Sequence, residues 1–323
     1  MAKRSDFKIL ITGAGGMLGT DLAKALDPNF DVVGLDRRPA PHLSVPLEIC
    51  DLTQARRTQD CIVGHNPGLV IHCAAMTDVD YCEDHHDEAL EQNVEATKNV
   101  VAACNEADVP MIFFSTDYVF NGQKKGSYVE TDAPDPVSFY GVTKKLAEDF
   151  ILQNAKRAMI FRISWLFGVH GRSFPRSILR QAAEVKQLTV VSDQTGNPTY
   201  SKDVAEALGQ LLQAKKNIFS DGVKEIYHLA NSGTTHWADL ARFILAEAGL
   251  KDVIVEDISS NTLKRPAPRP TNSVLSVAKA KKELGISMRS WQEAIRDFLE
   301  NLNEEPGKVI HVEPVKNEPP EEN

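Results

Sequence analysis

The stretch Lys8-Ile9-Leu10-Ile11-Thr12-Gly13-Ala14-Gly15-Gly16-Met17-Leu18-Gly19 decides the fold. Its first five residues form a short apolar run of the kind buried on both faces of a parallel sheet. Gly13, Gly16 and Gly19 then fall as Gly-x-x-Gly-x-x-Gly, and an amphipathic pattern continues over about 17–26. Glycines at that spacing allow a tight turn, close backbone approach to a pyrophosphate and close packing of helix on strand. The helix N-terminus then faces the anion. A plain structural turn is the bland alternative, and the flanking strand and helix argue against it.

An acid ends the next apolar run, Val32-Val33-Gly34-Leu35, as this kind of site requires. Asp36 there would accept from a ribose 2′-OH, which suits NADH, while Arg37 and Arg38 could hold a 2′-phosphate, which suits NADPH. Use of either cofactor is the expectation. Further runs at Leu69-Val70-Ile71-His72-Cys73, Met111-Ile112-Phe113-Phe114 and Ala158-Met159-Ile160-Phe161-Arg162-Ile163 read as strands, with helical patterns near 54–64, 86–106 and 140–154. Strands alternating with helices predict an α/β fold, a doubly wound parallel sheet with right-handed crossovers.

The rhythm breaks after Trp165. Helices are expected near 175–186, 201–214, 236–248, 276–284 and 290–302, and the prolines of Arg265-Pro266-Ala267-Pro268-Arg269-Pro270 exclude regular helix or central strand there. The expected division is a dinucleotide-binding domain over 1–165, with elements near 198–230 returning to it. A smaller substrate-binding lobe would occupy mainly 166–302. The segment 303–323, dominated by Glu, Pro, Lys and Asn, reads as a disordered tail.

Bulk properties narrow the function. A chain of 323 residues with 42% hydrophobic and 25% charged residues is ordinary for a soluble globular protein. A net charge of −9 argues against a nucleic-acid binder. No apolar run approaches the ~20 residues of a membrane span, and the N-terminus carries no apolar signal segment. The five cysteines include no Cys-x-x-Cys, which suggests free thiols in a reduced, cytoplasmic setting. Cys82-Glu83-Asp84-His85-His86 is rich in metal-binding side chains, but consecutive residues point in different directions. A solvated loop or helix start is the better reading, and no metal ligands are assigned.

Chemistry enters with Ser138-Phe139-Tyr140-Gly141-Val142-Thr143-Lys144. Tyr140 is the only one of the six tyrosines with a lysine or arginine four residues on, one helical turn away. A positive neighbour favours phenolate, so Lys144 is expected to bring a phenol of ordinary pKa ~10 toward acid/base range.

Together these residues resemble the extended short-chain dehydrogenase/reductase superfamily and, within it, the dTDP-4-dehydrorhamnose reductase family. The resemblance spans about 8–302. Beyond the glycine turn and the Tyr140/Lys144 pair it rests on Val70-Ile71-His72-Cys73-Ala74-Ala75-Met76-Thr77-Asp78-Val79-Asp80, Ser115-Thr116-Asp117-Tyr118-Val119-Phe120-Asn121-Gly122 and Arg162-Ile163-Ser164-Trp165-Leu166-Phe167-Gly168. Asp193-Gln194-Thr195-Gly196-Asn197-Pro198-Thr199 and Arg269-Pro270-Thr271-Asn272-Ser273 complete it.

The resemblance implies Tyr140 as proton donor, Lys144 on the nicotinamide ribose and Thr116 beside Tyr140 on the substrate carbonyl. It places Met17 and Leu18 with the glycines at the cofactor, Asp51 and Leu52 at the adenine, and Ala74, Ala75 and Met76 along the cofactor channel. Thr77, Asp117, Trp165 and Arg269 would meet a nucleotide-linked sugar. Arg172, Arg176, Arg180 and Arg265 are further diphosphate candidates, because guanidinium forks fit phosphate oxygens. The implied reaction is NADPH- or NADH-dependent reduction of the C4 ketone of dTDP-6-deoxy-L-lyxo-4-hexulose to dTDP-L-rhamnose.

Related dehydratases carry Asp-Glu after the corresponding Thr, whereas Tyr118 follows Asp117 here, which removes dehydration. Two rivals remain: a nucleotide-sugar epimerase, and a non-catalytic regulator similar to the β subunit of methionine adenosyltransferase. Some family members dimerise with metal at the interface. A homodimer is therefore left open, and no metal ligand is carried over.

Overall fold

Seven parallel strands form the central sheet of the computed structural model, which describes residues 5–214 and 218–304. In chain order they are β1 (Lys8–Thr12), β2 (Asp31–Asp36), β3 (Leu47–Ile49), β4 (Leu69–His72), β5 (Met111–Thr116), β6 (Ala158–Ile163) and an edge strand, Lys224–Leu229. Across the sheet the order runs from the edge strand through β6, β5, β4, β1 and β2 to β3. β1 pairs with β2 on one side and β4 on the other, with Ile9 opposite Val32 and Leu69. The strand order reverses between β1 and β4, and ligands of such sheets bind outside the carboxyl ends at that point.

The continuous apolar strands follow from burial on both faces. Ile9 and Ile11 enter one core with Leu22 and Leu26 of α1 (Met17–Leu26) and Leu208 of the helix Ser201–Ala214. Leu10 between them enters the opposite core with Ile62 of α2 (Ala55–His65), and with residues of two later helices.

Three features depart from the sequence reading. A short helix, α3 (Val79–Asp84), starts at Asp78, whose side chain accepts from the Tyr81 backbone N–H. With Cys82 its only buried residue, it carries no apolar period to read. The helix expected over 86–106 is α4 (His86–Leu90), a π-helical turn (Glu91–Glu95) and α5 (Ala96–Glu106) in succession. The segment expected as helix over 276–284 is helical from 278 and runs at once into a π-helical turn, Ala280–Leu284. α6 (Phe139–Asn154) runs as expected.

A third core, with Phe167, Tyr200, Leu240, Ile244, Trp291 and Phe298, joins the helices Phe174–Ala182, Trp237–Glu247 and Trp291–Glu304. That last helix runs on through Asn303 and Glu304, and the rest of the expected tail lies outside the described residues. No helix among the described residues is long and apolar enough to cross a membrane.

Candidate functional site

The loops that leave β1 and β4 face each other across the switch point and wall a cleft of about 480 Å³. Gly13 makes the close approach possible. Its φ is +65°, and a Cβ there would lie 2.7 Å from the Ala74 backbone. Gly19 lets α1 dock, since a Cβ there would sit 2.2 Å from the Gly13 carbonyl oxygen. A cradle this tight fits a pyrophosphate held by backbone N–H groups.

The cleft brings together Gly13, Gly16, Asp36, Arg37, Arg38, Asp51, Leu52, Ala74, Ala75 and Met76. Leu18 instead packs in the core beneath it, and Met17 lies against the loop of Gly168 and Gly171. The Asp36 carboxylate accepts from the backbone N–H groups of Gly15 at 3.0 Å and Arg38 at 3.2 Å. Arg37 and Arg38 are exposed at the mouth, and Arg37 Nη1 donates to Gln92 Oε1 at 3.3 Å. Asp51 Oδ1 accepts from the backbone and hydroxyl of Thr53 and so shapes the turn into α2. His42, Cys50 and Gln92 also line the cleft. No motif announces them, because His42 and Cys50 lie in separate loops and Gln92 in the π-helical turn.

At the inner end, Cys73 and Met76 link the cleft to α6. Met76 packs against the small cluster of Cys82, Ala89 and Tyr140, and Cys73 feels the charge of Lys144. Ser138 caps α6 by accepting from the Gly141 N–H at 3.3 Å. Gly141 permits the close seat of that first turn, since a Cβ there would be 2.2 Å from the Tyr118 carbonyl oxygen. Tyr140 is thereby brought beside Thr116 at the end of β5, near enough for that hydroxyl to favour the phenolate. Thr116 Oγ1 also donates to Asp117 Oδ1 at 3.1 Å.

Burial sets the acidities here. The Tyr140 phenol is pushed up, first by desolvation and then by the Asp117 charge. This departs from the lowering expected of Lys144, because burying the phenolate outweighs a neighbour that is itself hard to keep charged. Desolvation pulls the Lys144 ammonium down to about 7, and Glu148 opposes it. Lys144 Nζ stands 4.0 Å over the face of Phe113.

Asp117 lies behind the hydroxyls, 2% exposed, and burial lifts it to about 6 despite hydrogen bonds from Ser273, Thr116 and Ser164. Its folded pKa exceeds the unfolded value of 3.8, so the native state is penalised as pH rises past that value and fully so above about 6. Asp117→Asn should therefore gain on the wild type by roughly 3 kcal/mol between acid and neutral pH. Paired thermal melts at pH 4.5 and 7.5 check this: a Tm gap that does not widen at the higher pH contradicts it.

At the edge of the third core Trp165 adopts a left-handed backbone, φ +46°, and stacks on Trp237 with ring centroids 3.5 Å apart. Gly196 closes on the same indole, where a Cβ would meet Cε2 at 2.4 Å. Thr77 is exposed at the end of the β4 loop. Arg269 is engaged by Asp80, whose two oxygens accept from Nη1 and Nη2 at 2.5 and 2.7 Å. Arg176 donates to the Val169 carbonyl. Asn93 escaped the sequence reading: it bonds both backbone groups of Met76 and the Thr143 hydroxyl, tying the cleft wall to α6. Trp237 escaped it too.

A glycine-cradled cleft that opens onto a tyrosine–lysine helix is the arrangement of the extended short-chain dehydrogenases/reductases, and fold and site place the chain in that class. Within it the chain belongs to the family described as RmlD substrate binding domain, whose model matches residues 7–304. It is 36% identical over 295 residues to the spore coat polysaccharide biosynthesis protein SpsK of Bacillus subtilis, covering 91% of this chain and 97% of that one. It is 35% identical over 299 residues to the dTDP-4-dehydrorhamnose reductase of Aggregatibacter actinomycetemcomitans, covering 90% and 98%. A solved structure of dTDP-4-dehydrorhamnose reductase from Bacillus anthracis in complex with NADP superposes with a TM-score of 0.83. Identity there is 30%, covering 92% of this chain and all of that one.

Proposed function

We propose that the protein reduces the C4 ketone of a nucleotide-linked 6-deoxy-hexulose, with dTDP-4-dehydrorhamnose as substrate and dTDP-L-rhamnose as product. The observation that carries this reading is the meeting of the Thr116 and Tyr140 hydroxyls beside the inner end of the dinucleotide cleft. A reduced nicotinamide bound in the cleft supplies the hydride. Gly13, Gly16 and the start of α1 would hold its pyrophosphate, Asp36, Arg37 and Arg38 its adenosine ribose, and Asp51 and Leu52 its adenine.

As negative charge develops on the ketone oxygen, the Thr116 hydroxyl donates a hydrogen bond to it and Tyr140 gives it a proton. A phenol raised by burial is still protonated at neutral pH, the state a donor needs. Lys144 would bond the nicotinamide ribose and stabilise the phenolate left behind. Trp165 would pack on the sugar, with Thr77 and Asp117 near it. We assign Arg269 to the substrate side through its pair with Asp80, which ties the loop at 265–273 to α3. The complete Thr116, Tyr140 and Lys144 set supports catalysis over a purely regulatory role. The reductase names of the relatives support net reduction over epimerisation.

The test supplies dTDP-6-deoxy-L-lyxo-4-hexulose with NADPH and NADH separately. Oxidation of both is expected, with kcat/KM values within about a hundredfold (~2.7 kcal/mol) of each other. No oxidation of either cofactor would refute the reading.

A further inference from the structure

Tyr140, Lys144 and Glu148 stand one turn apart in a row along α6, which leads from the site into the protein. Tyr140 is 9% exposed, and Lys144 and Glu148 are 2% exposed each. Arg162 of β6 grips Glu148 with a two-pronged fork, donating from Nε at 2.9 Å and from Nη2 at 2.6 Å. The guanidinium lies over the Phe120 ring, 5.0 Å from its centroid, so it is held from behind as well. A carboxylate fixed in this way cannot swing over to Lys144. Among the described residues, no carboxylate comes within ion-pair distance of Lys144 Nζ.

The other groups that face this ammonium do not replace Glu148. His72, from β4, is neutral, since burial pulls it to about 3 and Lys144 pushes it the same way. The Cys73 thiol is pushed up by burial and stays protonated. Asp117, at the end of β5, acts on Tyr140 and Tyr118. Arg162 is positive and spent on Glu148. Phe113 offers a ring face, which attracts a cation but supplies no net charge. Glu148 is thus the negative charge that counters the desolvation of Lys144.

We propose that Glu148, locked by Arg162, is a positioning residue that keeps Lys144 charged without forming an ion pair with it. The ammonium hydrogens then remain available to the ribose and the phenolate. The role of Lys144 in turnover rests on the reductase reading; the charge coupling does not. The residue type and spacing were open to view, since Glu148 repeats the interval that separates Tyr140 from Lys144.

Two variants test this. Glu148→Gln keeps the shape of the side chain but leaves a buried guanidinium uncompensated. Glu148→Gln combined with Arg162→Met removes both charges and keeps the fold testable. The Lys144 side chain is titrated in the full-length protein by NMR of ¹³Cε-labelled lysine, assigned with Lys144→Arg, and kcat is measured across pH 6–9. Glu148→Gln should move the Lys144 titration and the alkaline limb of kcat down by at least one pH unit, and the double variant should move both the same way by less, since it also removes a positive charge. With the wild-type group near 7, the Glu148→Gln-to-wild-type activity ratio should therefore be at least about fivefold lower at pH 8.5 than at pH 6. Folded variants that lose activity equally at every pH, with the Lys144 titration unmoved, would overturn the proposal. A moved titration in a protein that reduces no ketosugar would uphold the coupling and refute the reductase reading.

Discussion

Tyr140→Phe should lower kcat by a factor on the order of 10²–10⁴, the usual worth of a positioned general acid, with NADPH affinity changed by less than about threefold. The substitution removes one oxygen and little else. The ring keeps its edge contact with Tyr118 and its place beside Met76 and Cys82, so α6 has no reason to move. Thr116 would still donate toward the developing oxyanion, but no group would then deliver a proton, and Lys144 would have no phenolate to stabilise. Burying a phenol without its hydroxyl costs less, so the melting temperature should hold or rise slightly. The measurements are steady-state turnover with the dTDP-ketosugar, NADPH binding by fluorescence and a thermal melt. Retention of more than a tenth of wild-type kcat would mean that Tyr140 is not the donor.

Gly19→Ala should weaken NADPH binding by about a hundredfold or more, ~2.7 kcal/mol, although alanine is the better helix former. The obstacle is space. The new methyl would lie 2.2 Å from the Gly13 oxygen and 2.7 Å from the Ala14 Cα, both backbone atoms that cannot rotate aside. Either α1 must lift from β1 or the 13–16 turn must open, and both disturb the N–H groups aimed at the pyrophosphate. The control is Gly64→Ala in α2, where nothing lies within 4 Å of the added methyl. That change should leave cofactor binding unaltered and add up to ~1 kcal/mol of stability. Isothermal titration with NADPH and thermal melts of both variants separate the cases. Unchanged binding by Gly19→Ala would show that the close approach is not needed.

The contrast between these two glycines shows what could be read from the chain. Gly19 was legible because its spacing from Gly13 and Gly16 encodes a contact within one supersecondary unit. Tyr140 and Lys144 were legible for the same reason, as were the strands with their unbroken apolar runs. Asn93 was not: its partners Met76 and Thr143 belong to other elements, and the π-helical turn that aims it leaves no apolar period. Trp237 was missed because its value lies in stacking on Trp165, far away in sequence.

Local chemistry along the chain was enough to establish a parallel α/β sheet, a dinucleotide turn and a tyrosine–lysine pair, since each depends on residues a few positions apart. The electrical state of that pair was decided only on folding. Spacing pointed to a phenol made more acidic by its lysine, yet burial raises the phenol and lowers the ammonium. Desolvation depends on everything packed around a group, and here that means Phe113, Asp117, Glu148 and Arg162, gathered from two strands, the turn that follows β5 and a helix. Proximity along a helix names the partners; the surrounding dielectric and the third charge decide which of them holds the proton.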